Sequence, residues 1–210
     1  MKHEAEIKEL LISNTISLVA EGGFEKATTK ELTFYEKNLP IYKMNEVYIY
    51  RLFGSKRGLY ESAFERLERE LYYALRKAVE ESGGFEKITK ECLYTFFSVI
   101  WAFILGNEAR CRCYVRYYYS IYFKGHSKEA HDQLFAGIIR EVTPIFKSEA
   151  DVVSIVHSIF TAMLDFAIRV YNGDLADDDV NRPHIFNVLY CMAATYLKED
   201  EQAPSTESLI

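Results

Sequence analysis

Apolar residues recur at every third or fourth position through segment after segment of this chain, and each segment stops at glycine or at a short polar turn. That is the period of a helix buried along one stripe, and the stops set how many helices there are. From residue 4 to 21, Ile7, Leu10, Leu11, Leu18 and Val19, widened by Ile12 and Ile16, make one amphipathic helix that Gly22 and Gly23 end. Thr28 and Glu31 have capping-box spacing and open a second helix, although Thr29 can cap it too. Pro40 limits this helix to about Asn38, because the residue before a proline is driven out of helical geometry. A short third helix opens at Asn45 and stops at Gly54. A long fourth one follows at once, capped by Ser55, and runs from Lys56 to about Glu81 through Leu59, Ala63, Phe64, Leu67, Leu71, Leu75 and Ala78. Beyond Gly83 and Gly84, residues 86–105 are apolar on nearly every side, as in a helix surrounded by others. Helices are then expected over residues 108–123, 127–146 (bent at Pro144), 148–171 and 180–197, with a frayed tail over 199–210. The result is an all-α chain of about nine helices and no strand.

With 49% apolar residues, the chain has the material for a large core. The net charge of −6 argues against coating nucleic acid nonspecifically, because that interaction is carried by Lys and Arg on phosphates. The charge is uneven, however. Residues 1–60 hold nine Lys and Arg against eight acids, a net of +1, which leaves −7 for the rest. The N-terminus lacks an apolar leader, and the longest apolar run, residues 96–105, is about half the length that a bilayer requires, so no membrane partner and a cytoplasmic location are expected. Cys92, Cys111, Cys113 and Cys191 are scattered and are expected as reduced packing thiols. His126 and His131 lie five apart, the wrong spacing for a shared metal, and no nucleophile elbow, phosphate loop or zinc motif is present. No enzyme activity, metal or cofactor is expected.

Residues 44–56, MNEVYIYRLFGSK, stand apart from the core-forming pattern. They are too short for a core element, and they carry Tyr48, Tyr50, Arg51 and Lys56. Lys56 falls in the first turn of its helix, at the positive end of the dipole, where a cation is disfavoured by roughly 0.3–1 kcal/mol. A lysine there makes physical sense when an anion shares the place, and phosphate is the obvious one.

The chain resembles the TetR family of bacterial transcriptional regulators. The residues that carry the resemblance are 22–32, GGFEKATTKEL, and more specifically 48–60, YIYRLFGSKRGLY. Ile49, Tyr50, Phe53, Gly54, Ser55, Lys56 and Leu59 fall on that family's pattern of aliphatic, Tyr, Phe, Pro or Gly, Ser, Lys and Leu, and the match spans roughly residues 7–64. The resemblance implies a three-helix helix-turn-helix DNA-binding domain over residues 1–55 and a helical effector-binding and dimerisation domain over 56–198. It further implies a homodimer, formed through the last two helices (about 148–171 and 180–197), that binds a palindromic double-stranded operator and is released by a small-molecule effector. Repression is the commoner outcome in the family. Carried over by position, Thr28 or Thr29, Tyr50 and Lys56 hold phosphates. Asn45, Glu46, Tyr48 and Arg51 reach base edges, with Arg51 suited to guanine and Asn45 to adenine. Leu32, Ile49 and Phe53 are core. Residues 34–44 are longer than the family's tight turn between its second and third helices, and the turn sets the angle of the recognition helix. Tyr42 and Lys43 either add backbone contacts there or pack. In the body, Trp101, Tyr114, Arg116 and Tyr118 are the expected effector residues; Arg112 and Arg116 suit an anionic ligand or pair with surface acids. The longer connection leaves open a second possibility, a helical ligand-binding or protein-interaction module with impaired DNA binding.

Overall fold

The computed structural model describes residues 2–34, 44–85 and 89–198. Their elements are α1 (Lys2–Lys26), α2 (Thr29–Thr33), α3 (Val47–Phe53), α4 (Lys56–Glu81), α5 (Lys90–Leu105), α6 (Glu108–Tyr118), α7 (His126–Val142), a 3-10 turn (Thr143–Ile145), α8 (Val152–Tyr171) and α9 (Asn181–Ala194). Among the described residues there is no strand, only an isolated antiparallel bridge between Phe146 and Leu197.

Several ends differ from expectation, each for a local reason. The glycine stop of α1 is not among these: Gly23 takes φ 74° and ψ −173°, outside helical geometry, so the long helix breaks there as expected and α1 reaches Lys26 only across that kink. α2 ends at Thr33 rather than near Asn38. The Thr33 hydroxyl bonds back to the carbonyls of Thr29 and Lys30, and Phe34 leaves helical geometry. α6 ends at Tyr118 rather than Phe123, because Ser120 Oγ donates to Tyr117 O and accepts from Tyr122 N, tying the chain into a turn. Ile121 therefore falls outside the helix and is 76% exposed. α7 stops before Pro144, which sits in the 3-10 turn. Asp151 caps α8 through Ser154 N, and Asp178 caps α9 through the backbone N–H groups of Val180 and Asn181.

The chain packs as two units. The first comprises residues 1–73 and 106–134, the second residues 74–105 and 135–210, so α4 and α7 contribute to both. In the first unit α1 packs on α2, α3 and α6. Ile7, Leu11, Leu18, Leu32, Ile49, Leu59 and Phe64 are buried there, and Phe64 stacks on Tyr114 and Tyr117 at ring separations of 5.2 and 4.2 Å. The buried amide of Asn14 donates to Leu32 O at 2.9 Å, pinning α2 to α1 with its polar group satisfied. Glu9, Arg66, Glu70 and Arg110 form a chain of ion pairs across α1, α4 and α6. In the second unit α5 packs on α8, and α8 on α9, around Phe97, Ile100, Trp101, Ile104, Met163, Ala167, Phe186 and Leu189. The four cysteines are thiols rather than disulfide partners; Cys111 and Cys113 are buried, Cys92 is half-buried and Cys191 is exposed.

Candidate nucleic-acid interface

The sharpest local geometry in the first unit is the break between α3 and α4. Gly54 ends α3 with φ 73°, a backbone that side chains other than glycine adopt rarely. Ser55 Oγ accepts from Gly58 N at 2.9 Å, capping α4 as its sequence position suggested. Gly58 is required for closeness rather than for its φ: a Cβ there would lie 2.1 Å from the carbonyl oxygen of Phe53. Tyr60, one turn on, donates to Ala27 O at 3.1 Å, so the start of α4 is tied to the connection between α1 and α2. Lys56 is held in this corner, half-buried, with Nζ 5.5 Å from the Tyr60 ring centroid. Burial lowers the pKa of its ammonium. A partly desolvated cation at the positive end of a helix gains when an anion arrives.

On α3, alternate residues serve opposite purposes. Ile49 is fully buried, while Tyr50 is 54% exposed. Tyr48 is half-buried and lies under the guanidinium of Arg51, 4.7 Å from ring centroid to Cζ. Arg51 Nη2 also meets Glu4 Oε1 of α1 at 2.9 Å. Nothing in the sequence signals that last pairing, because its partners lie on different helices. Asn45 acts as a cap, its Oδ1 accepting from Val47 N at 3.1 Å. That occupies one of the two lone pairs of the oxygen that a bidentate contact to adenine would use. Glu46 is exposed at the start of the helix. Thr28 caps α2, its Oγ1 accepting from Glu31 N at 3.2 Å, while Thr29 is the half-buried first residue of that helix. Tyr42 and Lys43 lie outside the described residues.

The four expected effector residues divide between the packing units. Trp101, in the second, is buried, and its indole N–H donates to Asp177 Oδ1 at 2.9 Å. Asp177 also accepts two hydrogen bonds from Arg182, which hold its carboxyl below its ordinary pKa. This triad joins α5 to the connection before α9 and to α9 itself. In the first unit, Tyr114 is buried against Phe64, with its phenol pKa well above the ordinary value because of that burial. Tyr118 is half-buried among Tyr114, Phe123 and His131, at ring separations of 5.9, 4.4 and 5.6 Å. Arg116 is exposed, and its Nη1 lies 3.2 Å from where a Cβ on Gly23 would be. Arg112 pairs with Glu108 on its own helix. Beside this cluster, buried Glu68 meets His131 Nδ1 at 2.6 Å. Among the described residues no group of His, Cys, Asp or Glu has the arrangement of a metal site.

No family model and no curated protein matches the sequence. Solved structures do. A TetR family transcription regulator from Marinobacter aquaeolei VT8 aligns with a TM-score of 0.72 at 14% identity, over 91% of this chain and 98% of its own. A protein from Shewanella sp. PV-4 assigned to the same family gives 0.68 at 14% identity, over 92% and 99%. The fatty acid degradation regulator FadR from Bacillus halodurans gives 0.57 at 12% identity, over 91% and 97%. At such identities the likeness is one of fold. The chain has the all-α fold of TetR family transcription regulators, an N-terminal helix-turn-helix domain followed by a helical body.

Proposed function

We propose, with a TetR-like fold as the starting point, that this chain is a DNA-binding transcriptional regulator: a homodimer that reads a palindromic operator and releases it when a small molecule binds the helical body. The observation that carries the proposal is the α3–α4 break, where an exposed Tyr50 hydroxyl and a partly desolvated Lys56 ammonium flank a tightly built turn. Both suit phosphate, and Tyr48 and Arg51 on the same short helix are the base readers. Thr28 or Thr29 would add a phosphate contact and Glu46 a contact to base edges. Asn45 contributes by starting the helix.

Dimerisation through α8 and α9 is supported by their surfaces. Val153, Val180, Val188 and Tyr196 are large apolar residues exposed on or beside these helices. α8 has a mean hydropathy of 1.5, enough by composition to cross a bilayer, but it exposes Asp165 and Arg169, which suits an aqueous helix partner better than lipid. Two copies of α3 would then address half-sites about one turn of DNA apart, roughly 34–36 Å. For the effector, Tyr118 and Arg116 are the reachable members of the expected set, since Trp101 is engaged by Asp177 and Tyr114 is buried on Phe64. Effector binding would shift operator affinity by a coupling of typically about 1–3 kcal/mol. A DNA partner implies a cytoplasmic location.

The test is binding to the DNA upstream of the chain's own gene, measured across a salt series beside an unrelated duplex. Tyr50→Ala and Lys56→Ala should each weaken operator binding about tenfold or more, the scale of losing a charge-assisted hydrogen bond, with dimer mass and thermal midpoint unchanged. Affinity that is blind to sequence, or variants that bind as tightly as the parent, would sink the proposal.

A further inference from the structure

Arg51 is the side chain on α3 best suited to guanine, yet its guanidinium is already engaged on two sides. Its plane is next to the ring of Tyr48, one turn earlier, and its Nη2 holds Glu4 at 2.9 Å. All of this lies within the first packing unit, and both charged partners are about half open to solvent.

We infer that Glu4 is a specificity-determining residue of the DNA face: it cancels the charge Arg51 would otherwise offer to any phosphate, while holding the guanidinium in register for a guanine edge. The inference rests on the DNA-binding proposal above. Its logic lies in what each target demands. A phosphate demands positive charge and little else, and binding to arbitrary duplex is built from such contacts through counterion release. The Glu4–Arg51 pair presents no net charge, and drawing Arg51 away to a phosphate leaves the Glu4 carboxylate facing the same polyanion. Guanine demands geometry, because O6 and N7 accept two N–H bonds from one edge of a planar fork. The guanidinium has five N–H donors, and Glu4 meets it at Nη2. The ion pair engages one corner of the guanidinium, and the donors that Glu4 does not meet remain for guanine. Tyr48 and Glu4 together also restrict the rotamers of Arg51 before DNA arrives, which lowers the ordering cost of a specific contact. An exposed pair of this kind adds little to folding stability, so its effect belongs to discrimination.

The experiment is Glu4→Gln in the full chain, with affinity measured for the upstream operator fragment and for an unrelated duplex of equal length across a salt series. Affinity for the unrelated duplex should rise about threefold to tenfold for the dimer, and its salt slope should steepen by about 0.9 per protomer, the signature of one more phosphate neutralised. Operator affinity should rise less, so the specificity ratio falls. In an Arg51→Ala background, Glu4→Gln should leave the ratio unmoved, an outcome that a purely structural role for Glu4 would not produce. A ratio that holds or rises in the single variant overturns the inference, as does the same loss of ratio without Arg51. A parent protein that shows no preference for its operator, or an Arg51→Ala variant that reads it normally, overturns the DNA-reading assignment itself.

Discussion

Replacing Gly58 by alanine sets two effects of opposite sign against each other at the turn that carries the DNA face. Gly58 lies in the first turn of α4. By helix propensity alone, alanine should stabilise by about 0.8–1 kcal/mol. The new Cβ, however, would stand 2.1 Å from Phe53 O and 3.3 Å from Phe53 C, both backbone atoms of the last residue of α3. No side-chain rotation relieves that contact, so the end of α3 must retreat by about 1 Å. Overpacking of this kind typically costs about 1–3 kcal/mol. The movement also strains the Ser55 cap on Gly58 N, worth about 1 kcal/mol. The net is a destabilisation of about 1–3 kcal/mol, which for a chain of this size lowers the thermal midpoint by about 2–4 °C per kcal/mol. The displaced α3 should weaken operator binding as well. Thermal unfolding followed by circular dichroism reads the first effect and operator titration the second. A variant as stable as the parent, or more stable, would show that propensity wins and that the α3–α4 turn is not close-packed as described.

Two further outcomes test the interior. Asp177→Ala removes the acceptor of the buried Trp101 N–H and both Arg182 bonds, and should cost about 1–3 kcal/mol. Because Trp101 is the sole tryptophan, its emission reports the site directly, and unchanged emission with unchanged stability would refute the role given to Asp177. Glu68 is buried, and desolvation raises its carboxyl above the ordinary 4.5 despite its bond to His131. An acid with a raised folded pKa binds its proton more readily when folded, so its contribution to stability is complete below the ordinary value and declines as pH rises through the raised one. Glu68→Gln, fixed in the neutral form, should lose that decline and gain on the parent as pH rises from about 4.5 toward neutrality. Denaturant titrations at several pH values check this, and parallel stability curves for the two proteins would contradict it.

Helix identity and order were legible because their signals are local. The apolar stripe of α4, the Ser55 cap and the Gly54 stop lie within a few residues of the structure they cause, and α3 and α4 fall where those signals indicate. The ends of α2 and α6 were less legible. There Thr33 and Ser120 bond back to the chain, and whether a hydroxyl does so or turns to solvent depends on the packing around it. The exposed Tyr50 and the half-buried Lys56 of the candidate site were likewise visible as exceptions to the core pattern.

What the sequence alone determined, then, is an all-α chain, the register of its helices and the surface character of residues 44–56, since periodicity and capping act over one or two turns. Tertiary structure alone decided which side chains meet across elements. It put Glu4 on Arg51, Asp177 on Trp101, Glu68 on His131 and Arg116 beside Gly23, and it grouped α6 with α1 in the first packing unit although residues 74–105, which lie between them in sequence, belong to the second. Those meetings depend on how helices pack through their buried faces, and a stripe of apolar residues specifies that a face will be covered without specifying which partner covers it.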